Sequence, residues 1–475
     1  MISTKLTAMD QEVFRRYAGL SLPRHVSYPM PTWWRDAQEE DAALMRQRMA
    51  LRAEPVDLSL YVHIPFCESM CKFCACSRLT LRKTAPGAAG RVEAYLEALL
   101  REIGQLGESY GLDRWLRQIH WGGGTPTYLS DSEMERLIDA TKEAFDLAED
   151  AEISIEVDPR VVSEHTLRLL SRLGFNRISL GVQDFNATVQ KHVRRIQPFE
   201  MVRRTVASCR TAGFESINFD LIYGLPYQTL DTIRDTLDKC IELAPDRVAY
   251  YHYAQIPDKI ATQRAIHHDQ MPDSETKLAM FMLGVEMFTA AGYDFIGLDH
   301  FAKPEEMLAE AAKDGTLQRN FQGMTTGAGL DLLGAGASAI SHLLQVGFLQ
   351  NVRDPDGYVQ VMRERPSPIA RARDFSEDDC IRQAVLTQIY CGGRIVPEVI
   401  ERRFDIDFGD YFGRELTVMR ELETDGLVAC NEDGTIDVTF PLGRVLMRNV
   451  AAAFDAYLQP DAYRAGERHC FSANA

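Results

Sequence analysis

From residue 57 the chain alternates between short β-rich runs and amphipathic helical stretches, and this alternation restricts its fold more than any other feature. The runs are LSLYVHI (58–64), QIHWGG (118–123), ISIEV (153–157), RISLGV (177–182), INFDLIYG (217–224), RVAYYHYA (247–254) and YDFIGL (293–298). Between them lie segments with apolar residues at helical spacing, such as VEAYLEALLREIGQL (92–106) and EMVRRTVASCRTAGF (200–214). A strand and a helix recurring about every 30 residues build βαβ units, and hence a parallel sheet. Six or seven such units suit a complete or partial α/β barrel. The pattern does not say whether the sheet closes.

The alternation ends near residue 300. The segment DGTLQRNFQGMTTGAGLDLLGAGASAIS (314–341) is rich in Gly and Thr with little periodicity, which suits a stretch wrapping a ligand. A plain connecting loop is the competing reading. After SPIARARDFSEDDC the chain turns helical again, with strand-like GLVAC and TIDVTF between 426 and 440. Before residue 57, polar helical stretches flank PRHVSYPMPTWW (23–34). The expected organisation is an N-terminal arm (1–56), an α/β barrel domain with a substrate-side segment (57–369), and a small, mainly α C-terminal domain (370–475). A chain of 475 residues is too long for one ordinary core.

The formal net charge of −17 argues against a broad basic surface for nucleic acid. A small anionic ligand then needs positive charge local to a pocket. No apolar run reaches the roughly 20 residues that span a bilayer, and MISTKLTAMDQEVFRRYAG lacks a signal-peptide pattern. A cytoplasmic location, with no membrane partner, is the expectation. Four of the ten cysteines crowd into residues 67–76; Cys209, Cys240, Cys380, Cys391, Cys430 and Cys470 are scattered and read as inert thiols. Grouped cysteines in a cytoplasmic chain point to metal or redox chemistry rather than a disulfide framework.

The strand LSLYVHI runs through Pro65 into Cys67-x3-Cys71-x2-Cys74-x-Cys76. Three thiolates in one loop can hold three corners of an iron–sulfur cubane and leave its fourth iron open to a ligand. A closed four-cysteine zinc site and a CxxC redox pair compete on spacing alone, although Cys74-x-Cys76 is cramped for zinc. The second motif, Gly122-Gly123-Gly124-Thr125-Pro126-Thr127, follows the second strand and favours the cluster. Its glycines allow close approach of the backbone to a ligand. Both motifs fall at the carboxyl edge of a parallel sheet, where such sheets bind ligands. Glu156, Gln183 and Asp220 recur at or just beyond later strand ends. Each alone reads as a turn or capping residue, but three in succession point to ligand binding.

With CxxxCxxC and GGGTP both present, the chain resembles radical S-adenosylmethionine (SAM) enzymes. Within them it is similar to the oxygen-independent coproporphyrinogen III oxidase (dehydrogenase) family of haem biosynthesis. The matching stretches include YVHIPFC, HWGGGTPTYL, AEISIEVDPR, NRISLGVQDFN, FDLIYGLPYQT, GLDHFAKP, QRNFQG and LLGAGASAIS, over roughly residues 20 to 460. The resemblance implies a [4Fe–4S] cluster on Cys67, Cys71 and Cys74, with Cys76 turned away beyond the third ligand. It implies two SAM molecules, one of them chelated by the cluster and cleaved to a 5′-deoxyadenosyl radical. That radical takes hydrogen from the β-carbon of a substrate propionate, and loss of carbon dioxide and one electron leaves a vinyl group. Two propionates of coproporphyrinogen III react in this way to give protoporphyrinogen IX, served by an unidentified electron donor and acceptor. Monomeric behaviour is a further implication.

Position by position, Tyr61 matches a SAM-contacting tyrosine, Phe73 the aromatic inside the loop, and Gly123, Gly124 and Thr125 the glycine motif. Glu156, Gln183, Arg195, Asp220, Ala254 and Ile340 match positions lining the two SAM sites. Gln322 matches a position near the active centre, and Arg24 an arm arginine expected to meet a substrate carboxylate. The chain departs from the family pattern at His25, Val26 and Met30 in the arm, at Ala75 in the loop and at Met324 after NFQG. These departures bear on substrate identity more than on radical chemistry. The competing functions are a haem chaperone of the same lineage and a methyltransferase-like enzyme acting on a tetrapyrrole.

Overall fold

The computed structural model describes residues 8–458 apart from 21, 53 and 112. Seven parallel strands form its centre: β1 (Leu58–Ile64), β2 (Trp115–Gly123), β3 (Asp146–Val157), β4 (Arg177–Gln183), β5 (Ser216–Tyr223), β6 (Arg247–His252) and β7 (Asp331–Ala335). They lie in the order β7-β1-β2-β3-β4-β5-β6. Antiparallel strands extend both sides. Ile340–Leu343, Gly347–Asn351, Ile369–Asp374 and Arg35–Asp36 continue from β7, and His300–Ala302 and Asp294–Gly297 continue from β6. The two edges of this 13-stranded sheet are not paired with each other, so the barrel is partial.

Helices α1 (Ala88–Tyr110), α2 (Asp131–Ala144), α3 (Glu164–Leu173), α4 (Phe199–Ala212), α5 (Leu230–Leu243) and α6 (Ser274–Ala290) accompany the strands. Their ends follow local chemistry. Ser130 and Glu133 form a capping box at the start of α2, and left-handed Gly174 and Gly213 stop α3 and α4. Along the middle strands polarity alternates. Ile178, Leu180 and Val182 of β4, and Ile217, Phe219 and Leu221 of β5, are buried. The alternate positions Arg177, Ser179, Gly181, Asn218 and Asp220 face a cavity instead. The sheet therefore packs an apolar face against helices and turns a polar face inward.

Three expectations need correction. The 314–341 segment is not a structureless wrap: it holds the hairpin Gln318–Asn320/Gly323–Thr325 and the central strand β7, whose five residues are all buried. Its glycines mark close backbone approach. A Cβ at Gly334 would lie 2.6 Å from the Ile340 carbonyl oxygen, and one at Gly336 (φ +100°) 2.6 Å from that of His63. The expected boundary at 369/370 cuts through the sheet strand Ile369–Asp374, and the arm supplies that strand's neighbour, Arg35–Asp36. The helical C-terminal part carries the expected strand-like runs as Val428–Cys430 and Ile436–Val438, which join Arg394–Ile395 in a three-stranded sheet, but it shares one apolar core with the barrel rather than forming a domain of its own. Cys470 lies outside the described residues.

Glu102 of α1 ties the helix layer to the sheet. Its carboxylate accepts from the Gly336 N–H (2.7 Å), Asn351 Nδ2 (2.7 Å) and the Tyr358 hydroxyl (2.6 Å). Burial raises this carboxyl from 4.5 to about 7. The folded state then holds more protons than the unfolded state between those values, so this group's contribution to stability falls as pH rises through that window and levels off above it. Glu102→Leu leaves three donors without an acceptor and should cost about 3 kcal/mol. Urea midpoints measured at pH values on either side of the window should show that loss, together with a flatter pH dependence in the variant.

Candidate active site

A cleft of about 1390 Å³, counting its space open to solvent, lies at the carboxyl ends of β2 to β6. The cysteine loop forms one wall. Cys67 leaves β1 through a short strand, Phe66–Cys67, paired with Leu79–Thr80. The Lys72 N–H donates to the Val193 carbonyl (3.0 Å), and His63 Nε2 donates to that of Ser77 (2.8 Å), leaving Nδ1 to accept from the Tyr61 hydroxyl (3.0 Å). The loop is thus braced on both sides.

Cys67, Cys71 and Cys74 all border the cleft, and so does Cys76. The expectation that the backbone turns Cys76 away is not met. A hydrogen bond from the Cys76 thiol pulls Cys74 below the ordinary thiol value, whereas burial pushes Cys67 up to about 11. Cations surround the sulfurs. Arg160 Nη2 and Arg195 Nη1 lie 3.4 and 3.5 Å from Cys71 Sγ, and Arg78 Nη2 reaches the Cys71 and Cys74 carbonyls, each at 3.4 Å.

The glycine run braces this loop as well as lining the cleft. A Cβ on Gly124 would sit 2.5 Å from the Pro65 carbonyl oxygen, and Gly123 holds φ +112° against the His63 ring. The Gly124 and Thr125 N–H groups donate to the Ile64 (2.8 Å) and Phe66 (2.9 Å) carbonyls, and Thr125 Oγ1 lies 3.5 Å from Cys67 Sγ. Glu156 accepts from the Gly123 N–H (3.1 Å), with His120 Nε2 3.4 Å from its other oxygen. Asp220 accepts from Ser179 Oγ (3.1 Å) and Asn218 Nδ2 (2.9 Å); burial, then the Glu156 charge, raises its carboxyl to about 6. Arg195 donates to the Gly181 carbonyl (Nε, 3.1 Å) and to Asp158 (3.3 Å). Gln183 ends β4 at φ +69°, an uncommon conformation for a residue with a side chain.

Phe73 and Gln322 also border the cleft, whereas Tyr61, Ala254, Ile340 and Arg24 do not. Tyr61 stands one layer behind, its ring nearly parallel to that of the cleft residue His120 (16°). Ala254 is linked to the loop through Gln263, whose Nε2 donates to the carbonyls of both Ala254 (3.1 Å) and Phe73 (2.8 Å). Ile340 packs against the Trp34–Phe348–Phe375 cluster. Arg24 lines a second cavity. The motif reading missed Asp158, Arg160, His120, Tyr251 and His300, all on the cleft wall. Asp158 and Arg160 follow Glu156 within EVDPR and were within reach of the strand-end argument. The others show only as alternate positions of strands.

The Radical SAM superfamily model matches residues 61–240, the span that builds the cysteine loop, the glycine brace and most of the strand ends. The fold and the site thus define a radical SAM protein. Over 453 residues the chain is 41% identical to oxygen-independent coproporphyrinogen III oxidase of Escherichia coli, covering 95% of this chain and 96% of that protein. The Helicobacter pylori (strain J99) protein of the same name is 36% identical over 466 residues, covering 98% and 99%. The solved structure of coproporphyrinogen III oxidase (HemN) from Escherichia coli superposes with a TM-score of 0.85 at 40% identity, covering 92% of this chain and 98% of that one. The chain belongs to the oxygen-independent coproporphyrinogen III oxidase family. It is a radical SAM enzyme with a [4Fe–4S] cluster and SAM as its cofactors.

Four thiols share the cleft, but the CxxxCxxC spacing sets Cys76 apart, and it is also the exposed one of the four. Cys67→Ser, Cys71→Ser and Cys74→Ser should each lose most iron and sulfide after anaerobic reconstitution, whereas Cys76→Ser should retain them. A Cys76→Ser protein without a cluster would move the assignment to the fourth thiol.

Proposed function

We propose that this chain converts two propionates of coproporphyrinogen III to vinyl groups, giving protoporphyrinogen IX without oxygen. One observation carries the reading. Most of the residues shared with the family's motifs, distant in sequence, meet on the wall of one polar cleft, in a chain 41% identical to the Escherichia coli relative over 95% of its length. The haem-chaperone alternative is disfavoured by the presence of Cys76 and a full arm. The methyltransferase-like alternative rests only on the departures in the arm and at Met324.

The donor set fits a cubane. No three His, Cys, Asp or Glu side chains among the described residues are grouped as a single metal ion requires. A cubane instead takes each thiolate on a different iron. In this reading Cys67, Cys71 and Cys74 hold the cluster, which when bound supplies the electron that cleaves SAM. Gly123, Gly124, Thr125 and Glu156 position SAM, and Tyr61 supports them from behind through His120. Phe73, Gln183, Arg195, Asp220 and Ala254 serve a second SAM, Ile340 backs the family's SAM positions, and Gln322 stands near the reacting centre. Arg24 meets a substrate carboxylate. A monomer in the cytoplasm, with an electron donor and an acceptor still to be identified, completes the reading. Among the described residues, no helix is long and apolar enough to cross a membrane.

With a one-electron reductant and an electron acceptor supplied, anaerobic incubation with coproporphyrinogen III and SAM should give a product lighter by two carbon dioxide molecules and four hydrogen atoms, seen by mass spectrometry. A methylated product would replace the oxidase with a methyltransferase. Equilibrium binding should count about two SAM per cluster in the unmodified protein. Asp220→Ala, which removes a candidate acceptor for ribose hydroxyls, should bring the count toward one at a cost of about 1–3 kcal/mol. One SAM per cluster in the unmodified protein would remove the second site.

A further inference from the structure

A second cavity, of about 770 Å³ counting its space open to solvent, lies beside the cleft, between the arm, α6 and the C-terminal part of the chain. In a protein of net charge −17 it gathers five cations, Arg24, Lys277, Arg319, Arg444 and Arg448, around the single carboxylate of Asp299. Asp299 is engaged by His300 Nδ1 at 2.7 Å. Several of the guanidinium groups are held by neutral carbonyls. Arg319 donates to Arg24 (3.0 Å) and His25 (2.9 Å), Arg444 to Gly392 (2.9 Å), and Arg448 to Pro23 (3.4 Å). Those bonds satisfy donors without cancelling charge. Among the described residues, Arg24, Lys277, Arg319 and Arg444 form no ion pair. His252, on the same wall, has both ring nitrogens buried without a hydrogen-bond partner. With Asp299 as the one carboxylate on the wall, facing both Arg24 and Arg319, the cavity keeps a surplus of positive charge that an anion would offset.

The two cavities share a wall. Arg319 of the second cavity is the cross-strand partner of Met324 on the cleft, and directly opposed residues have Cβ atoms roughly 5 Å apart. The bonded neighbours Asp299 and His300 likewise face one cavity each.

We propose that this cavity binds propionate carboxylates of the tetrapyrrole that are not reacting, while the reacting propionate lies in the cleft. The proposal rests on the function read above, since a tetracarboxylate keeps charges that need partners at every turnover. Lys277 is the cation to change, because it is half-buried and forms no side-chain hydrogen bond among the described residues, so its replacement disturbs little else.

Binding of coproporphyrin III, the fluorescent oxidised form of the substrate, and of its tetramethyl ester would be titrated on the reconstituted holoenzyme. Lys277→Met should weaken coproporphyrin III binding about tenfold, and Lys277→Glu more, with SAM binding and the cluster's absorbance unchanged. The ester should bind the unmodified protein and both variants alike. Coproporphyrin III affinity that survives both substitutions, or equal losses for acid and ester, would overturn the carboxylate site alone. An unmodified protein that binds neither porphyrin would overturn the function reading, and the site with it.

Discussion

The cleft depends on how charge is neutralised at its floor. Arg177 of β4 pairs with Glu152 of β3 (2.7 Å), and Arg247 of β6 bridges Glu152 (3.3 Å) and Glu306. Burial alone would raise the Glu152 carboxyl, but the two guanidinium groups hold it at about 2. Two cations and two carboxylates thus join three strands to the segment that begins at Glu306, which itself caps a helix through the Leu308 N–H (2.7 Å). Removing one member of such a buried set typically costs about 3–5 kcal/mol, because the others lose their counter-charge. With the charges of this layer balanced, the residues above it can remain polar and unfilled.

That floor sets the character of the walls. A barrel interior is ordinarily filled by layers of branched apolar side chains. Here β4 and β5 present Ser179, Asn218 and Asp220 inward, and hydrogen bonds among them hold each in place (2.8 to 3.1 Å). The apolar residues of the same strands go outward beneath the helices, so stability and ligand contact draw on opposite faces of one sheet. The cysteine loop, fixed by main-chain bonds to β1 and the glycine run, adds a metal-binding edge without altering the strands beneath it.

Much of this was legible in the sequence because it is periodic or compact. The seven strand-like runs from 58 to 298 are strands, and CxxxCxxC with GGGTP meets across neighbouring strand ends as expected for a parallel sheet. What stayed hidden lacks period. The strand DLLGA has five residues buried on both faces, so no alternation marks it, and its glycine suggested a loop where two backbones in fact press together. Arg160 reaches the Cys71 sulfur, and Asp158 holds Arg160 and Arg195, from a turn rather than a strand. The displacement of Arg24 from the cleft depends on how the arm docks, which no local pattern encodes. Nor could composition show the crowding of cations in one cavity of an acidic chain.

The docking of that arm also has a temporal side. His25 Nε2 contacts Asp455 at 2.9 Å across 430 positions, the Tyr28 hydroxyl accepts from the Ala456 N–H (3.1 Å), and Arg448 holds the Pro23 carbonyl. Synthesis makes the arm hundreds of residues before these anchors. The cysteine loop and the strands that brace it are made in between, before the arm can gain these contacts. The wall that carries Arg24 therefore takes its final form later in synthesis than the metal-binding edge it adjoins, so the basic chamber is the later-assembled of the two cavities.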